Sequence, residues 1–423
     1  MIGFLLVAIF VVGYVAIALE HPLQLNKAAS ALITGVLCWT IYILHADGSH
    51  EVTAQLLEHL GEISSILFFL LGAMTIVELI DLHNGFDIIT QRINTTSKSR
   101  LLIIITVLSF FLSALLDNLT TAIVMASLST KILREKEDRL WFCGMIVIAA
   151  NAGGAWSPLG DVTTTMLWIG GQITAMNIMK QLIMPSVAVC VIPMLFIAYN
   201  FRGKKIMTRV QPPSSVKERR ESMIILFSGL GFLIFVPIFK TLTHLPPFMG
   251  MLLALGFMWI IITVIHKGKE PETIVKYNVA RALQKVDSPS ILFFLGILLA
   301  VSALQSFGIL KDMAMVFSHT FKNDYVIGAA LGLLSAIVDN VPLVAAAQGM
   351  YDLSVYPTDH SFWEFLALTT GAGGSAIIIG SAAGVAVMGI EQINFMWYLK
   401  KISWLALIGF TAGIGVFLLQ LLL

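Results

Sequence analysis

Three aspartates stand inside stretches of otherwise apolar sequence. Asp117 lies in Ser113-Ala-Leu-Leu-Asp117-Asn118-Leu-Thr120-Thr121, flanked on both sides by largely apolar residues, and Asp339 lies in a similar run followed by Asn340 and Pro342. Asp161 closes the stretch Asn151-Ala-Gly153-Gly154-Ala-Trp-Ser157-Pro158-Leu-Gly160-Asp161, and Thr163 and Thr164 follow it. An ionised side chain at mid-membrane costs at least about 2.5–3.5 kcal/mol, so three of them call for a use. The plainest role is helix capping, with Asn118 and Asn340 assisting and Pro342 suited to a first helical turn. A neutral Ser or Thr would cap at lower desolvation cost.

The glycines at 153, 154, 160, 371, 373, 374, 380 and 384 have a packing alternative of the small-xxx-small kind. The Gly153-Gly154 pair beside Pro158 reads more readily as a helix break. Breaks free carbonyl oxygens; with Asp, Ser, Thr and Asn oxygens they form a hard donor set suited to an alkali cation. No Arg, Lys or His lies in the four interrupted cores, so an anion would meet acids there without a fixed positive side chain. A carboxyl withdrawn from water holds either a proton or a metal cation, and competition for one such site is sufficient for exchange. The expected chemistry is proton-coupled antiport of Na⁺ at Asp117 and Asp161, with no cofactor and no enzymatic step.

The elements that must position these residues are membrane spans. The chain has 423 residues, 57% hydrophobic and 12% charged, with a formal charge of +1 and a mean hydropathy of +0.89. That composition leaves no room for a sizeable soluble domain, and the charge balance gives no reason to expect nucleic acid. Cys38, Cys143 and Cys190 all fall in apolar runs, which argues against disulfides and a cysteine metal site. Clear spans are expected near 2–19, 28–44, 63–80, 178–199, 223–240, 247–265, 290–307 and 402–419. Residues 2–19 read as a first span, not a cleaved leader. Segments 81–97, 268–285 and 308–322 mix apolar and charged residues and are expected along the interface.

The second half echoes the first. Ser65-Ile-Leu-Phe-Phe-Leu70 returns as Ser290-Ile-Leu-Phe-Phe-Leu295, Ser113 to Asn118 as Ser335 to Asn340, and Ala152-Gly153-Gly154 with Gly160 as Ala372-Gly373-Gly374 with Gly380. Three matches in register point to a duplicated transporter. The expected fold is an all-α polytopic membrane protein of two inverted-topology repeats, each with five crossings, a re-entrant helical hairpin and a broken helix. Repeat 1 covers 1–201, with its hairpin at 101–133 and broken helix at 141–170. A cytoplasmic linker follows at 202–222, and repeat 2 covers 223–423, with its hairpin at 325–350 and broken helix at 362–390. Placing the linker in the cytoplasm puts 22 of the 26 Lys and Arg inside. The acidic loops 45–62 and 351–364, and both termini, then face outward.

The stretches SALLDNLTTAIVM (113–125), NAGGAWSPLGDVTT (151–164), SAIVDNVPLVAA (335–346) and TTGAGGSAIIIGSAAG (369–384) resemble the NhaD-type sodium/proton antiporters of the ion transporter superfamily. The resemblance extends over essentially the whole chain. It implies a bacterial inner-membrane protein, active chiefly at alkaline pH, that exports Na⁺ or Li⁺ for external H⁺. It also implies an elevator-like or rocking motion and a homodimer. By motif, the functional residues would be Asp117, Asn118, Asn151, Asp161, Thr163 and Thr164, then Ser335, Asn340, Ser375 and Ser381, with Asp339 matching too. The superfamily's dicarboxylate and arsenite carriers have neutral signatures at the hairpin tips, unlike the Asp-Asn found twice here. Three rivals are an anion carrier using half-helix N-termini, a passive cation channel, and an intramembrane aspartyl protease. The nine histidines, at span ends or in loops, read as interfacial residues or as pH sensors.

Overall fold

In the computed structural model the described residues are 2–46, 48–90, 95–206, 216–321, 323–337 and 339–422. The Pro212-Pro213-Ser214-Ser215 portion of the expected linker lies outside them. Among the described residues no strand forms beyond an isolated bridge between Ser97 and Lys205. This is the expected outcome for a chain in lipid, where helices satisfy their own backbone.

The first half runs α1 (Ile2–Ala18), α2 (Glu20–Leu23), α3 (Lys27–His45), α4 (Ser49–Leu82), α5 (Gly85–Thr90), α6 (Lys98–Leu116), α7 (Asn118–Ile132), α8 (Lys136–Ala155), α9 (Val162–Ile169) and α10 (Ala175–Asn200). The second runs α11 (Val216–Thr243), α12 (Pro247–His266), α13 (Pro271–Lys276), α14 (Val279–Lys285), α15 (Ser288–Ser306), α16 (Ile309–Phe321), α17 (Asp324–Leu334) and α18 (Asn340–Met350). It ends with α19 (Ser361–Gly373), a 3-10 turn (Ile378–Gly380), α20 (Ala382–Glu391), α21 (Phe395–Lys401) and α22 (Ser403–Gln420). Among the described residues, eight helical segments are long and apolar enough to span a membrane.

Two of the expected boundaries move. The stretch 45–62, read from its acids as a loop, is helical from Ser49, and α4 reaches 34 residues. At 1.5 Å per residue it is about 51 Å long, well over a hydrocarbon core of about 30 Å, so one end projects into water. Exposed Glu51, Glu58 and Glu62 lie on that end. The linker is also shorter than read, because α11 begins at Val216.

The helices sort into two packed groups. In one, α15 lies along α3 and against α4, α1 packs on α3, and α12 packs on α4 and α11. In the other, α6, α7 and α8 pack together, α17 packs on α19, α20 on α7, and α10 on α22. The groups meet where α15 touches α18 and α4 touches α9. Both long interruptions turn back on themselves. Lys98, at the start of α6, pairs with Glu135 at 3.2 Å and Asp138 at 2.5 Å, just past the end of α7. At the second hairpin, Tyr325 near the start of α17 hydrogen-bonds Ser361 at 3.0 Å, and Tyr351 after α18 packs edge-on against Phe362. The first hairpin therefore opens toward the face that carries Lys98, Lys131 and Lys285, here called the basic face. The second opens toward the opposite, acidic face.

Candidate functional site

All four interrupted segments resume as helices with a side-chain cap. The Asp117 carboxylate accepts from Thr120 N at 2.7 Å, Asp161 from Thr163 N at 3.2 Å, Asp339 from Val341 N at 3.3 Å, and the Ser381 hydroxyl from Gly384 N at 3.2 Å. The capping role weighed from the sequence is thus real. It also orients four positive helix ends around one region.

Asp161 does more than cap. It is 2% exposed, and the tips of both hairpins reach it. Asn340 Nδ2 donates to its two oxygens at 3.1 and 3.4 Å, and Asn118 Nδ2 donates at 3.4 Å. Asn118 Nδ2 also donates to Asn151 Oδ1 at 3.1 Å. Asn151 Nδ2 in turn donates to the hydroxyls of Ser375 and Ser381, each at 2.9 Å. Asn118, Asn151, Asp161, Asn340, Ser375 and Ser381, with buried Thr163 alongside, therefore form one connected set drawn from both hairpins and both broken helices. Its side-chain partners are amides and hydroxyls, and no Lys, Arg or His among the described residues pairs with Asp161.

The other expected residues have separate contacts. Asp117 Oδ2 accepts from Thr120 Oγ1 at 2.9 Å, so both of its oxygens turn to its own helix. Its backbone, at φ 95° and ψ 157°, occupies a region that only glycine adopts readily. Such strain costs on the order of 1–3 kcal/mol and is held by the surrounding packing. Ser157 Oγ donates to Ala114 O at 2.5 Å and Thr164 Oγ1 to Asp161 O at 2.9 Å. Ser335 Oγ donates to Gly332 O at 2.7 Å and Thr370 O at 3.0 Å. The last contact has a counterpart in the first half, Ser113 Oγ to Ala150 O at 2.5 Å. Two glycines permit this packing. A side chain at Gly153 would collide with the Phe110 carbonyl, and one at Gly373 with the Gly332 carbonyl. Gly154 packs on Gly160, and Gly374 on Gly380, across their breaks.

A cavity of about 520 Å³ opens between the two helix groups at the basic face. Glu20, Glu78, Asp81, Asp87 and Asp287 line it with Lys27, Lys131 and Lys285, and it reaches Thr120. Lys285 pairs with Glu78 at 3.1 Å, and Lys131 with Asp87 at 3.7 Å. A pocket of about 20 Å³, which shares Met74 with this vestibule, touches Asp117, and that is room for about one water. A second pocket, of about 70 Å³, shares Glu20 and Lys27 with the vestibule and touches Asp339, Ser381 and Tyr14. On the acidic side, loop residues and one scaffold lysine are linked by hydrogen bonds. Asp359 accepts from Thr174 N at 2.6 Å and Oγ1 at 2.8 Å, and Thr358 Oγ1 donates to Gly171 O at 2.7 Å. Lys240 of α11 donates to Trp168 O, near the end of α9, at 2.7 Å. Lys240 and Tyr14 were not legible as site residues, because both lie in uninterrupted apolar spans.

A multi-pass helical bundle whose broken segments converge on one buried carboxylate, with a polar vestibule on one side, has the architecture of a membrane transporter. The chain matches the citrate transporter family (CitMHS) over residues 5–373. Sodium/proton antiporters 1 and 2 of Arabidopsis thaliana are 45% and 44% identical to it over 97% of its length, which covers 71% and 98% of theirs. The Na(+)/H(+) antiporter NhaD of Vibrio cholerae is 32% identical over 99% of this chain and 92% of its own. The chain belongs to the NhaD-type sodium/proton antiporter family.

Proposed function

We propose that this protein exchanges Na⁺, and Li⁺ with it, for H⁺ by competition at Asp161, with Asp117 as a second acid beside the small pocket next to the vestibule. The observation that carries the reading is the Asp161 carboxylate, held by one amide from each hairpin tip and, among the described residues, by no basic side chain. An ion entering there meets a carboxylate, amide oxygens after rotation of Asn118 and Asn340, and nearby hydroxyls, a donor set for a hard cation. Thr163, Thr164, Ser335 and Asp339 then act at the edges of the site, as caps and as contacts that hold the breaks.

The halves are read as inverted repeats at 1–201 and 223–423, on the support of oppositely opening hairpins and recurring contacts such as Ser113 to Ala150 and Ser335 to Thr370. The basic face is taken as cytoplasmic and both termini as external, supported by the placement of Lys and Arg. With the vestibule open at the basic face and Lys240 of α11 bonded to Trp168 O of α9 on the other side, the conformation is read as the inward-facing stage of alternating access. A bacterial inner membrane and a homodimer complete the proposal. Termini tagged for sided proteolysis in the native membrane test the orientation, and the mass of the purified particle tests the homodimer.

The deciding experiment uses purified protein in liposomes with a trapped pH dye, pulsed with NaCl, LiCl, KCl or citrate at several pH values. Proton movement driven by Na⁺ and Li⁺, and lost in Asp161→Asn, is the expected result. Citrate-driven movement without any cation response would replace the proposal with an anion carrier.

A further inference from the structure

We infer that Tyr398 is a positioning residue for the ion site, acting from outside all four interrupted segments through the carbonyl of Ser375. Tyr398 belongs to α21, a seven-residue helix beside the basic face, and it is fully buried. Its hydroxyl donates to Ser375 O at 2.9 Å. Ser375 lies in the unwound stretch between α19 and the 3-10 turn, where a carbonyl has no helical amide assured to it. Asn394 caps α21 by accepting from Met396 N and Trp397 N, and Trp397 packs edge-on against Trp141 of α8. The tyrosine therefore projects from an anchored element.

What the hydroxyl fixes can be followed atom by atom. Asn151 Nδ2 has two hydrogens and two acceptors, the hydroxyls of Ser375 and Ser381. With both in place the amide is locked, and its Oδ1 faces Asn118 Nδ2, which also donates to Asp161. If Ser375 drifts, the Asn151 amide loses one of its two anchors and turns, and Asn118 is released from its bridging position. A buried tyrosine hydroxyl needs some partner, so packing alone would also place one here. The two roles separate on Tyr398→Phe, which keeps the ring and removes only the donor.

The inference rests on the sodium reading of the site. The test compares wild type, Tyr398→Phe, Ser375→Ala and the double variant, full-length, in sodium-dependent thermal stabilisation and in liposome exchange. Tyr398→Phe is expected to raise the half-saturating sodium concentration about tenfold, the scale of one neutral hydrogen bond. The maximal rate should stay within about twofold, and sodium-free melting within about two degrees. The double variant should be no worse than Ser375→Ala alone, because without the Ser375 hydroxyl the anchored carbonyl no longer holds a partner for Asn151. Unchanged half-saturation in Tyr398→Phe, or additive losses in the double variant, overturns the role of Tyr398 while leaving the antiporter intact. A fall in sodium-free melting that accounts for the whole loss assigns Tyr398 to packing and overturns the inference too. A wild type that neither binds nor exchanges sodium overturns both readings together.

Discussion

Replacing Asp161 by Asn exchanges one oxygen for an amide nitrogen and removes a unit charge where two amide donors already converge. Asn340 Nδ2 at 3.1 Å and Asn118 Nδ2 at 3.4 Å would then face a third amide. One orientation leaves donor against donor, at a cost of about 1–3 kcal/mol for an unmet buried group unless the neighbours turn. The larger effect is on the ion. Two unit charges about 4 Å apart attract by about 4 kcal/mol at an effective dielectric constant near 20. At about 1.4 kcal/mol per decade, losing that attraction weakens binding roughly a thousandfold, and a site of about millimolar affinity becomes molar. Wild type at about a hundred times its dissociation constant gains about 2.7 kcal/mol of stability from the ligand, and the variant should gain almost none. The assay is melting of detergent-solubilised protein across a sodium series, with choline as the control, alongside dye-loaded liposomes. Half-saturation within tenfold of wild type would refute the reasoning, since the ion would then sit elsewhere, with Asp117 the first place to look. Asp117→Asn serves as the companion, because the remaining oxygen can still accept from Thr120 N and keep the cap.

Gly153→Ala and Gly373→Ala should each destabilise the fold by at least about 1–3 kcal/mol, since the new methyl meets a backbone carbonyl, and yield of monodisperse protein reads this directly. Gly256→Ala, with nothing near its position, should be neutral or slightly stabilising in the same screen. Burial pushes His83, just beyond the end of α4, down to about 4, while its ring bonds Leu79 O at 2.7 Å and the His266 ring at 2.9 Å. The unfolded chain therefore binds the extra proton first. Stability present above about pH 6.5 should fall by about 3 kcal/mol as the pH drops toward 4, and melting of His83→Gln should show a flatter pH dependence. Lys240→Met keeps the apolar stem but removes the bond to Trp168 O, so amide exchange in α9 should quicken about tenfold while that in α8 stays put.

Much of the architecture was legible because lipid permits few backbone solutions, so apolar length located the spans and polar interruptions located the breaks. Asp117-Asn118 and Asp339-Asn340 stood out for that reason, and the structure places both pairs at hairpin tips. The spacing did not show that the asparagines, rather than their aspartates, reach Asp161. That depends on how far each hairpin enters the bundle, which packing at glycines such as 153 and 373 sets. From sequence alone the projecting end of α4 reads as a loop because its acids dominate the hydropathy average, although they are helical and solvated. His83 and His266, 183 residues apart, gave no sign of meeting. Tyr398 lay in a short mixed segment with no pattern to distinguish it from an interfacial aromatic.

The meeting of Asn118 and Asn340 on one carboxylate also constrains how the molecule can be made. The bond from Asn340 to Asp161 joins positions 179 residues apart, while the bond from Asn118 closes within the first half. A chain emerging from the ribosome exposes Asp161 long before its second amide exists, so the site is among the last contacts to form. A truncated first half would carry the acid, one tip and an unfilled place opposite it. Completion of the second half therefore supplies a folding step as well as a ligand, and fragments expressed separately would have to find each other before either could hold the geometry described here.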